Sequence, residues 1–179
     1  MALVPDAAAG LRAVERGATV LQLRNPSATV RAQEREAERL VAASPVPVVV
    51  SARVDLALAV GAAGVHLPEH DLPVAGARRL LGRDRLLGRS VHSPAAAREA
   101  EEGGADYVVF GPVFPTASHP GREPAGLDAL REVVRAVRIP VLAIGGLDPE
   151  RATACRAAGA GGFAAISHFL ADRGPTVRP

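Results

Sequence analysis

Several residue types are missing or scarce in this chain, and each absence narrows the chemistry open to it. All 21 basic residues are arginine, so no lysine can form a Schiff base with a carbonyl substrate. The single cysteine, Cys155, excludes an internal disulfide and offers no metal cluster, and we expect it to be a small buried residue of a helix. Aromatic residues make up only 3% of the chain, so the core must consist of aliphatic side chains.

A strong charge of one sign and long apolar runs are also absent. The formal net charge is +2, and the arginines are spread over predicted helices without forming a basic stripe. We therefore expect no nucleic-acid partner. No apolar run is long enough to cross a membrane and no signal peptide is visible, so we predict a cytoplasmic protein with no membrane partner.

What the chain does contain is a regular alternation of short apolar runs and helical segments. The apolar runs cover residues 2–4, 19–23, 46–50, 64–66, 86–90, 107–110, 141–144 and 162–166. Helical periodicity covers residues 7–16, 29–43, 54–60, 74–81, 94–103, 126–137 and 149–158. Continuous apolar runs indicate parallel strands buried on both faces. Eight of them with helical crossovers predict a single-domain α/β fold, the (β/α)8 TIM barrel, with an open doubly wound sheet as the alternative.

The boundaries of this domain and of its helices can also be predicted. The barrel is expected over residues 1–172 with a reduced C-terminal helix, followed by a frayed tail over 173–179. Asp6, Ser93 and Asp148 stand at expected N-cap positions. Four helices are predicted to end at the same two-residue phrase, which indicates one turn used repeatedly: Gly17-Ala18, Gly61-Ala62, Gly104-Ala105 and Gly159-Ala160.

Hydroxyl and imidazole side chains follow the sixth predicted strand. The apolar run breaks before Pro112 into a loop that carries Thr116, Ser118 and His119. In a barrel, the C-terminal ends of the strands converge on one face, where the active site lies. The other histidines also end or follow predicted strands: His66, His70, His92 and His168. Their joint placement predicts a small-ligand site at this face, although each one singly is more often a structural or exposed residue than a catalytic one.

A pair of glycines predicts a phosphate site. The seventh strand ends in Gly145 and Gly146, and a helix begins after Asp148. Glycines let backbone N–H groups approach a ligand closely, and the helix start adds partial positive charge. Ser167 follows the eighth strand, and the loops after strands seven and eight are the usual phosphate site of this fold. The alternative is that the glycines only form a tight turn.

Two further groups of polar residues lie at predicted strand ends. Gln22 and Arg24 point to the same side of the second strand. Arg24 needs a partner there, which is either an anionic ligand or a neighbouring carboxylate. Asp71, in the loop after the fourth strand, is a candidate Mg²⁺ ligand, but a single carboxylate better fits a solvated residue that caps a turn.

The chain resembles the thiamine phosphate synthase / TenI superfamily of thiamine-biosynthesis barrels over nearly its whole length. The phrases that carry the resemblance occur in the family's order, at residues 21–24, 53–59, 64–67, 71–73, 104–108, 111–116 and 143–146. Synthases of this family join an aminopyrimidine diphosphate to a thiazole phosphate. The TenI branch instead aromatises a thiazole carboxylate phosphate by moving a proton. The resemblance thus implies a small-molecule phosphate ligand and suggests a homodimer.

The resemblance also implies that the thiazole phosphate half of the site is intact. The positions that hold this phosphate in the family match Thr116, Ser118, Gly145, Gly146 and Ser167. The positions used around the pyrimidine diphosphate match Gln22, Arg24 and Ser90.

The metal and diphosphate half departs from the family pattern. Ser51 and Ala52 replace the Asn-Asp pair of similar synthases, so one Mg²⁺ carboxylate is missing while Asp71 remains. Pro26 and His119 replace two lysines. Because ionising a diphosphate needs concentrated positive charge, these losses favour the TenI branch, whose proton transfer needs no metal.

These departures predict a TenI-like thiazole tautomerase that uses no cofactor. The histidine that shuttles the proton in similar TenI proteins aligns with Pro112, so another residue must carry it. His119 is the first candidate, His92 is the second, and His66 is expected to orient rather than to shuttle. Two alternatives stay open: a thiamine phosphate synthase that uses Mg²⁺ with Asp71 as a ligand, and a non-catalytic homologue that binds thiazole phosphate or has a regulatory role.

Overall fold

Eight parallel strands alternate with eight helices in the described residues, which are 1–116, 121 and 123–170 of a computed structural model. The strands are β1 (Ala2–Val4), β2 (Leu21–Leu23), β3 (Val48–Ser51), β4 (Gly64–Leu67), β5 (Leu86–Val91), β6 (Tyr107–Phe110), β7 (Val141–Ile144) and β8 (Gly162–Ala164). The helices are α1 (Ala7–Glu15), α2 (Val30–Ala43), α3 (Val54–Ala59), α4 (Val74–Leu81), α5 (Pro94–Glu102), α6 (Gly126–Ala136), α7 (Pro149–Ala157) and α8 (Ser167–Leu170). None of these described helices is long and apolar enough to cross a membrane.

The strands pair in sequence order, and the chain segments at the two edges of the sheet also meet. Ala2 forms a parallel bridge with Ala165. The Leu3 N–H donates to the Ala165 carbonyl over 3.0 Å, and the Ala165 N–H donates to the Met1 carbonyl over 3.1 Å. The sheet therefore closes into the predicted single-domain TIM barrel, and the open-sheet alternative is wrong. The predicted tail over residues 173–179 lies outside the described residues.

Side chains of the strands alternate between the helix layer and the barrel interior. Leu21 and Leu23 belong to the main apolar core under the helices, so Gln22 between them faces the interior. A smaller apolar cluster fills part of that interior, with Tyr107, Val109 and Ala164 at its centre. Gln22 and His66 are the buried polar residues in the described part of the chain, at 2% and 4% exposure. These two side chains lie between main-core residues along their strands and therefore face the barrel interior.

Helix ends follow the predicted local chemistry. The three predicted N-cap side chains each accept a backbone N–H three residues on: Asp6 over 2.7 Å, Ser93 over 3.1 Å and Asp148 over 2.8 Å. At all four Gly-Ala phrases the glycine has a positive φ. The alanine N–H donates to the carbonyl five residues back, with Ala18, Ala62, Ala105 and Ala160 as donors. This is the hydrogen bond of the Schellman C-cap, so the repeated turn is confirmed.

Several strand boundaries differ from the prediction by one or two residues, and two of these differences have a local cause. β3 begins at Val48 rather than at residue 46 because Pro47 has no N–H to donate to the ladder. The Pro47 carbonyl still accepts the Leu21 N–H over 3.0 Å. β8 ends at Ala164 rather than at residue 166, because the Ile166 carbonyl already accepts the Phe169 and Leu170 N–H groups of α8.

Candidate active site at the barrel mouth

The C-terminal ends of the strands and the loops that follow them form the barrel mouth, where TIM-barrel enzymes have their active sites. After β7, Gly145 and Gly146 form a turn, called here the glycine turn, with φ angles of +99° and +65°. A Cβ on Gly145 would lie 2.6 Å from Pro112 Cβ, and one on Gly146 would lie 2.3 Å from the Pro115 carbonyl oxygen. The turn therefore packs directly against the loop after β6, and only glycine fits at both positions.

The backbone of the glycine turn is available to an anion. Among the described residues, the N–H groups of Gly145 and Gly146 have no protein acceptor. Arg151 Nη1 donates to the Gly146 carbonyl over 2.8 Å, and its guanidinium lies 5.1 Å from the centre of the Phe114 ring. The turn thus combines N–H donors with the start of α7 and with a guanidinium that is also paired with the Asp148 carboxylate over 3.5 Å. This combination favours a phosphate-binding turn over one that serves the fold alone.

The other residues predicted to hold this phosphate flank the glycine turn or fall outside the described chain. Thr116 is half-buried in the loop after β6, and Ser167 is exposed at the first position of α8. These two residues therefore follow the strands on either side of β7. Ser118 and His119, which was the first candidate for proton transfer, lie outside the described residues.

A second polar group lies at the ends of β2 and β3. Gln22 Nε2 donates to Ser51 Oγ over 3.2 Å, which fixes the buried amide. Arg24 directly follows β2 and is exposed. Within the described part of the chain, no carboxylate forms an ion pair with Arg24. The neighbouring-carboxylate alternative therefore finds no partner there, and the guanidinium is accessible to an anionic ligand.

Three hydrogen-bonded side chains connect β4, β5 and β6 inside the barrel. His66 Nε2 lies 2.9 Å from Ser90 Oγ, and His66 Nδ1 lies 3.3 Å from the Tyr107 hydroxyl. Sequence reasoning identified Ser90 and an orienting role for His66, but it missed Tyr107. The signal for Tyr107 was Gly88, because a glycine within a strand often marks the close approach of another group. Strand pairing places Gly88 directly between His66 and Tyr107.

Burial sets the protonation state of these groups. Burial, together with the positive charge of Arg89, lowers the pKa of His66 from 6.5 to about 3. Burial, together with the Asp106 carboxylate, raises the pKa of Tyr107 above its usual value. The imidazole is therefore neutral and the phenol protonated around neutral pH. His66 is thus unsuited to be a general acid at this pH, in agreement with the orienting role expected for it.

The pKa of His66 predicts how stability depends on pH. Between about pH 6.5 and about pH 3 the unfolded chain binds a proton at His66 that the folded chain does not. The free energy of unfolding should therefore fall as the pH is lowered through this window, by up to about 1.4 kcal/mol per pH unit from this group. Urea unfolding at pH 7.5 and pH 5 should show a weaker pH dependence for His66→Asn than for the wild type. His70→Asn, at an exposed position, is the control and should keep the wild-type dependence.

His92, the second candidate for proton transfer, lies beside the loop after β4. Its Nε2 is 3.5 Å from Glu69 Oε2, and His70 Nε2 is 3.5 Å from the same oxygen. His92 thus follows β5, two strands away from the glycine turn. In the described structure it has no contact with that turn, so its predicted catalytic role gains no support from the geometry.

The described residues of the mouth do not form the two-carboxylate magnesium site that the family resemblance implies. Asp71 is exposed, and its Oδ1 accepts the Leu72 N–H over 2.6 Å. Ala52 stands at the second carboxylate's position, and its N–H donates to the His66 carbonyl over 2.9 Å. Among the described residues, no group of three or more His, Cys, Asp or Glu could hold a metal ion. We therefore assign no chemical step to a metal held by these side chains.

Comparison with known proteins identifies the family. Residues 6–169 match the TMP-TENI family model, which is described as thiamine monophosphate synthase. The chain belongs to this family. It is 43% identical to a thiamine-phosphate synthase of Natronomonas pharaonis, over 91% of this chain and 79% of that protein. It is 44% identical to a thiamine-phosphate synthase of Chloroflexus aurantiacus, over 89% of this chain and 75% of that protein.

Solved structures support the same assignment. A thiamine phosphate pyrophosphorylase from Pyrococcus furiosus superimposes with a TM-score of 0.83 at 35% identity, covering 96% of this chain and 87% of that one. FabK from Thermotoga maritima, at 20% identity and a TM-score of 0.76, shares the fold alone. The predicted superfamily is thus confirmed. The relatives named above are synthases, an activity that the sequence analysis placed second to the tautomerase.

Proposed function

We propose that the protein is a thiamine phosphate synthase, a transferase that joins an aminopyrimidine diphosphate to a thiazole phosphate. The observation that carries this proposal is that one barrel mouth holds two separate groups of donors. The glycine turn offers N–H groups to one phosphate. Gln22 on β2, Arg24 directly after β2 and Ser90 on β5 are further donors, which we propose act together on the diphosphate. A tautomerase holds a single phosphate, whereas a two-substrate reaction uses both groups.

In the proposed reaction these residues hold the substrates and stabilise the leaving group. The glycine turn binds the thiazole phosphate, which brings the thiazole ring to the centre of the mouth. As the diphosphate leaves the pyrimidine, its negative charge increases, and the Arg24 guanidinium and the Ser90 hydroxyl stabilise it as donors. The Gln22 amide, held by Ser51, presents its remaining polar atoms in one orientation to the pyrimidine side.

A thiazole tautomerase is the second candidate because Ala52 lacks the carboxylate of similar synthases. Three observations weigh against it. Pro112, at the position of the TenI shuttle histidine, is buried, and His92 contacts Glu69 instead of the glycine turn. The named relatives at 43% and 44% identity are synthases.

The proposal is tested by incubating the purified protein with both substrates, with and without Mg²⁺. Thiamine phosphate is oxidised to its fluorescent thiochrome derivative and quantified. We expect product formation that requires both substrates and is proportional to the enzyme concentration. Absence of product in every condition would contradict the proposal, and the thiazole phosphate affinity measured in parallel would then separate a non-catalytic binder from a protein without a thiazole phosphate site.

A further inference from the structure

Tyr107, His66 and Ser90 form one hydrogen-bond relay with a buried end and an open end. Tyr107 and His66 are 8% and 4% exposed, whereas Ser90 is half-buried near the C-terminal end of β5. We propose that Tyr107 and His66 are positioning residues that direct the hydroxyl proton of Ser90 toward the diphosphate substrate. The identity of that substrate rests on the proposed function, but the donor-to-acceptor direction of the relay does not.

Which groups donate and which accept in the relay follows from its buried end. Among the described residues, the Tyr107 hydroxyl has no hydrogen-bond partner other than His66 Nδ1. A buried phenol proton without an acceptor is unfavourable, so the phenol donates to Nδ1. A neutral imidazole that accepts at Nδ1 carries its own proton on Nε2, which then donates to Ser90 Oγ across 2.9 Å. The Ser90 hydroxyl proton is therefore not donated within the relay and remains available to a ligand.

Gly88 leaves the space in which the Tyr107 and His66 side chains of the relay meet. A Cβ at Gly88 would lie 2.2 Å from Tyr107 Cζ, 2.4 Å from the Tyr107 hydroxyl oxygen and 2.6 Å from His66 Nδ1. Any side chain at this position of β5 would separate the phenol from the imidazole. A glycine between the two hydrogen-bonded groups indicates that the contact is built into the sheet.

A fixed serine proton suits an anionic ligand. The non-bridging oxygens of a diphosphate only accept hydrogen bonds, whereas a serine hydroxyl can donate or accept. Because Nε2–H occupies a lone pair of Ser90 Oγ, the hydroxyl is prepared as a donor before the ligand binds. Donors that are oriented in advance stabilise developing negative charge without reorganisation at the moment of reaction.

Kinetics of single and double variants test the proposal. Tyr107→Phe and Ser90→Ala are each expected to raise the KM for the aminopyrimidine diphosphate about tenfold, with a smaller change in the KM for the thiazole phosphate. The double variant should be no worse than Ser90→Ala alone, because Tyr107 acts through Ser90. The control combines Ser90→Ala with Val109→Ala, which alters the same strand and interior cluster; these two effects should multiply. Multiplication of the Tyr107 and Ser90 effects would overturn the proposal.

Nitrogen-15 NMR of the histidines gives a test that needs no turnover. The His66 signals are assigned by their loss in His66→Asn. We expect the wild-type ring to carry its proton only on Nε2. In Tyr107→Phe we expect the proton to be shared between Nε2 and Nδ1. A proton on Nδ1 in the wild type would overturn the proposal, whether or not the protein forms thiamine phosphate. If no thiamine phosphate forms, the proposed function fails separately, and calorimetric affinity for the diphosphate replaces KM in the double-variant test.

Discussion

Gly146→Ala should weaken thiazole phosphate binding by about 10- to 100-fold, the scale of losing one hydrogen bond to a charged group. The new Cβ would lie 2.3 Å from the Pro115 carbonyl oxygen and 2.9 Å from Phe114 Cβ. The nearest of these atoms belongs to the backbone, so the loop after β6 must move away from the glycine turn. This movement separates Thr116 from the N–H groups of Gly145 and Gly146, which we propose bind the same phosphate.

Gly61→Ala is a matched control for this experiment. Gly61 has a φ of +66°, almost identical to the +65° of Gly146, but a Cβ there would meet nothing within 4 Å. Both variants therefore incur the cost of an alanine in the left-handed region, about 1 kcal/mol or more, and only Gly146→Ala adds a collision. Calorimetric titration with thiazole phosphate compares the two. An affinity of Gly146→Ala within a few-fold of Gly61→Ala would show that the glycine turn does not hold the phosphate.

Ala52→Asp should create a magnesium-dependent increase in thiamine phosphate formation of at least about tenfold. Ala52 has a φ of +65°, a conformation that aspartate adopts more readily than alanine does. Its N–H donates to the His66 carbonyl, near the end of β4, and the loop after β4 carries Asp71. The substitution thus adds a second carboxylate to this side of the mouth, and Mg²⁺ is commonly held by one or two carboxylates together with substrate phosphates.

Ala52→Asn separates the charge from the backbone effect, because asparagine tolerates the same conformation without adding a negative charge. Initial rates are measured for both variants and for the wild type across a series of Mg²⁺ concentrations. Equal responses of Ala52→Asp and Ala52→Asn to Mg²⁺ would mean that the missing carboxylate does not limit the reaction.

The fold was predictable because the signals for it are local. Apolar runs and helical periodicity depend on neighbouring residues, and so do the Asp148 cap and the Gly61-Ala62 turn. Boundary errors of one or two residues remained, in part where one residue changed the local hydrogen bonding, as Pro47 does before β3. The grouping of polar residues at strand ends was equally predictable, because all parallel strands of a barrel end on one face.

Contacts between strands were harder to predict. The partnership of Tyr107 with His66 depends on how β4, β5 and β6 are staggered, which is a property of the closed sheet rather than of any one segment. The order of the two enzymatic interpretations had a different cause. The loss of one carboxylate at Ala52 predicted the tautomerase, whereas the similarity of the rest of the chain to the named relatives favours the synthase.

The most direct test of the proposed synthase activity is a phosphorus-31 NMR time course on the wild-type protein with Mg²⁺ and both synthase substrates. The spectrum follows the substrate diphosphate, the released diphosphate and thiamine phosphate in one sample. We predict that released diphosphate and thiamine phosphate appear in equal amounts, and that neither appears when the thiazole phosphate is omitted. The contradicting result has two parts: both synthase substrates remain unchanged, and the same protein aromatises the thiazole carboxylate phosphate tautomer when that is added. This result would exclude the synthase and identify a tautomerase.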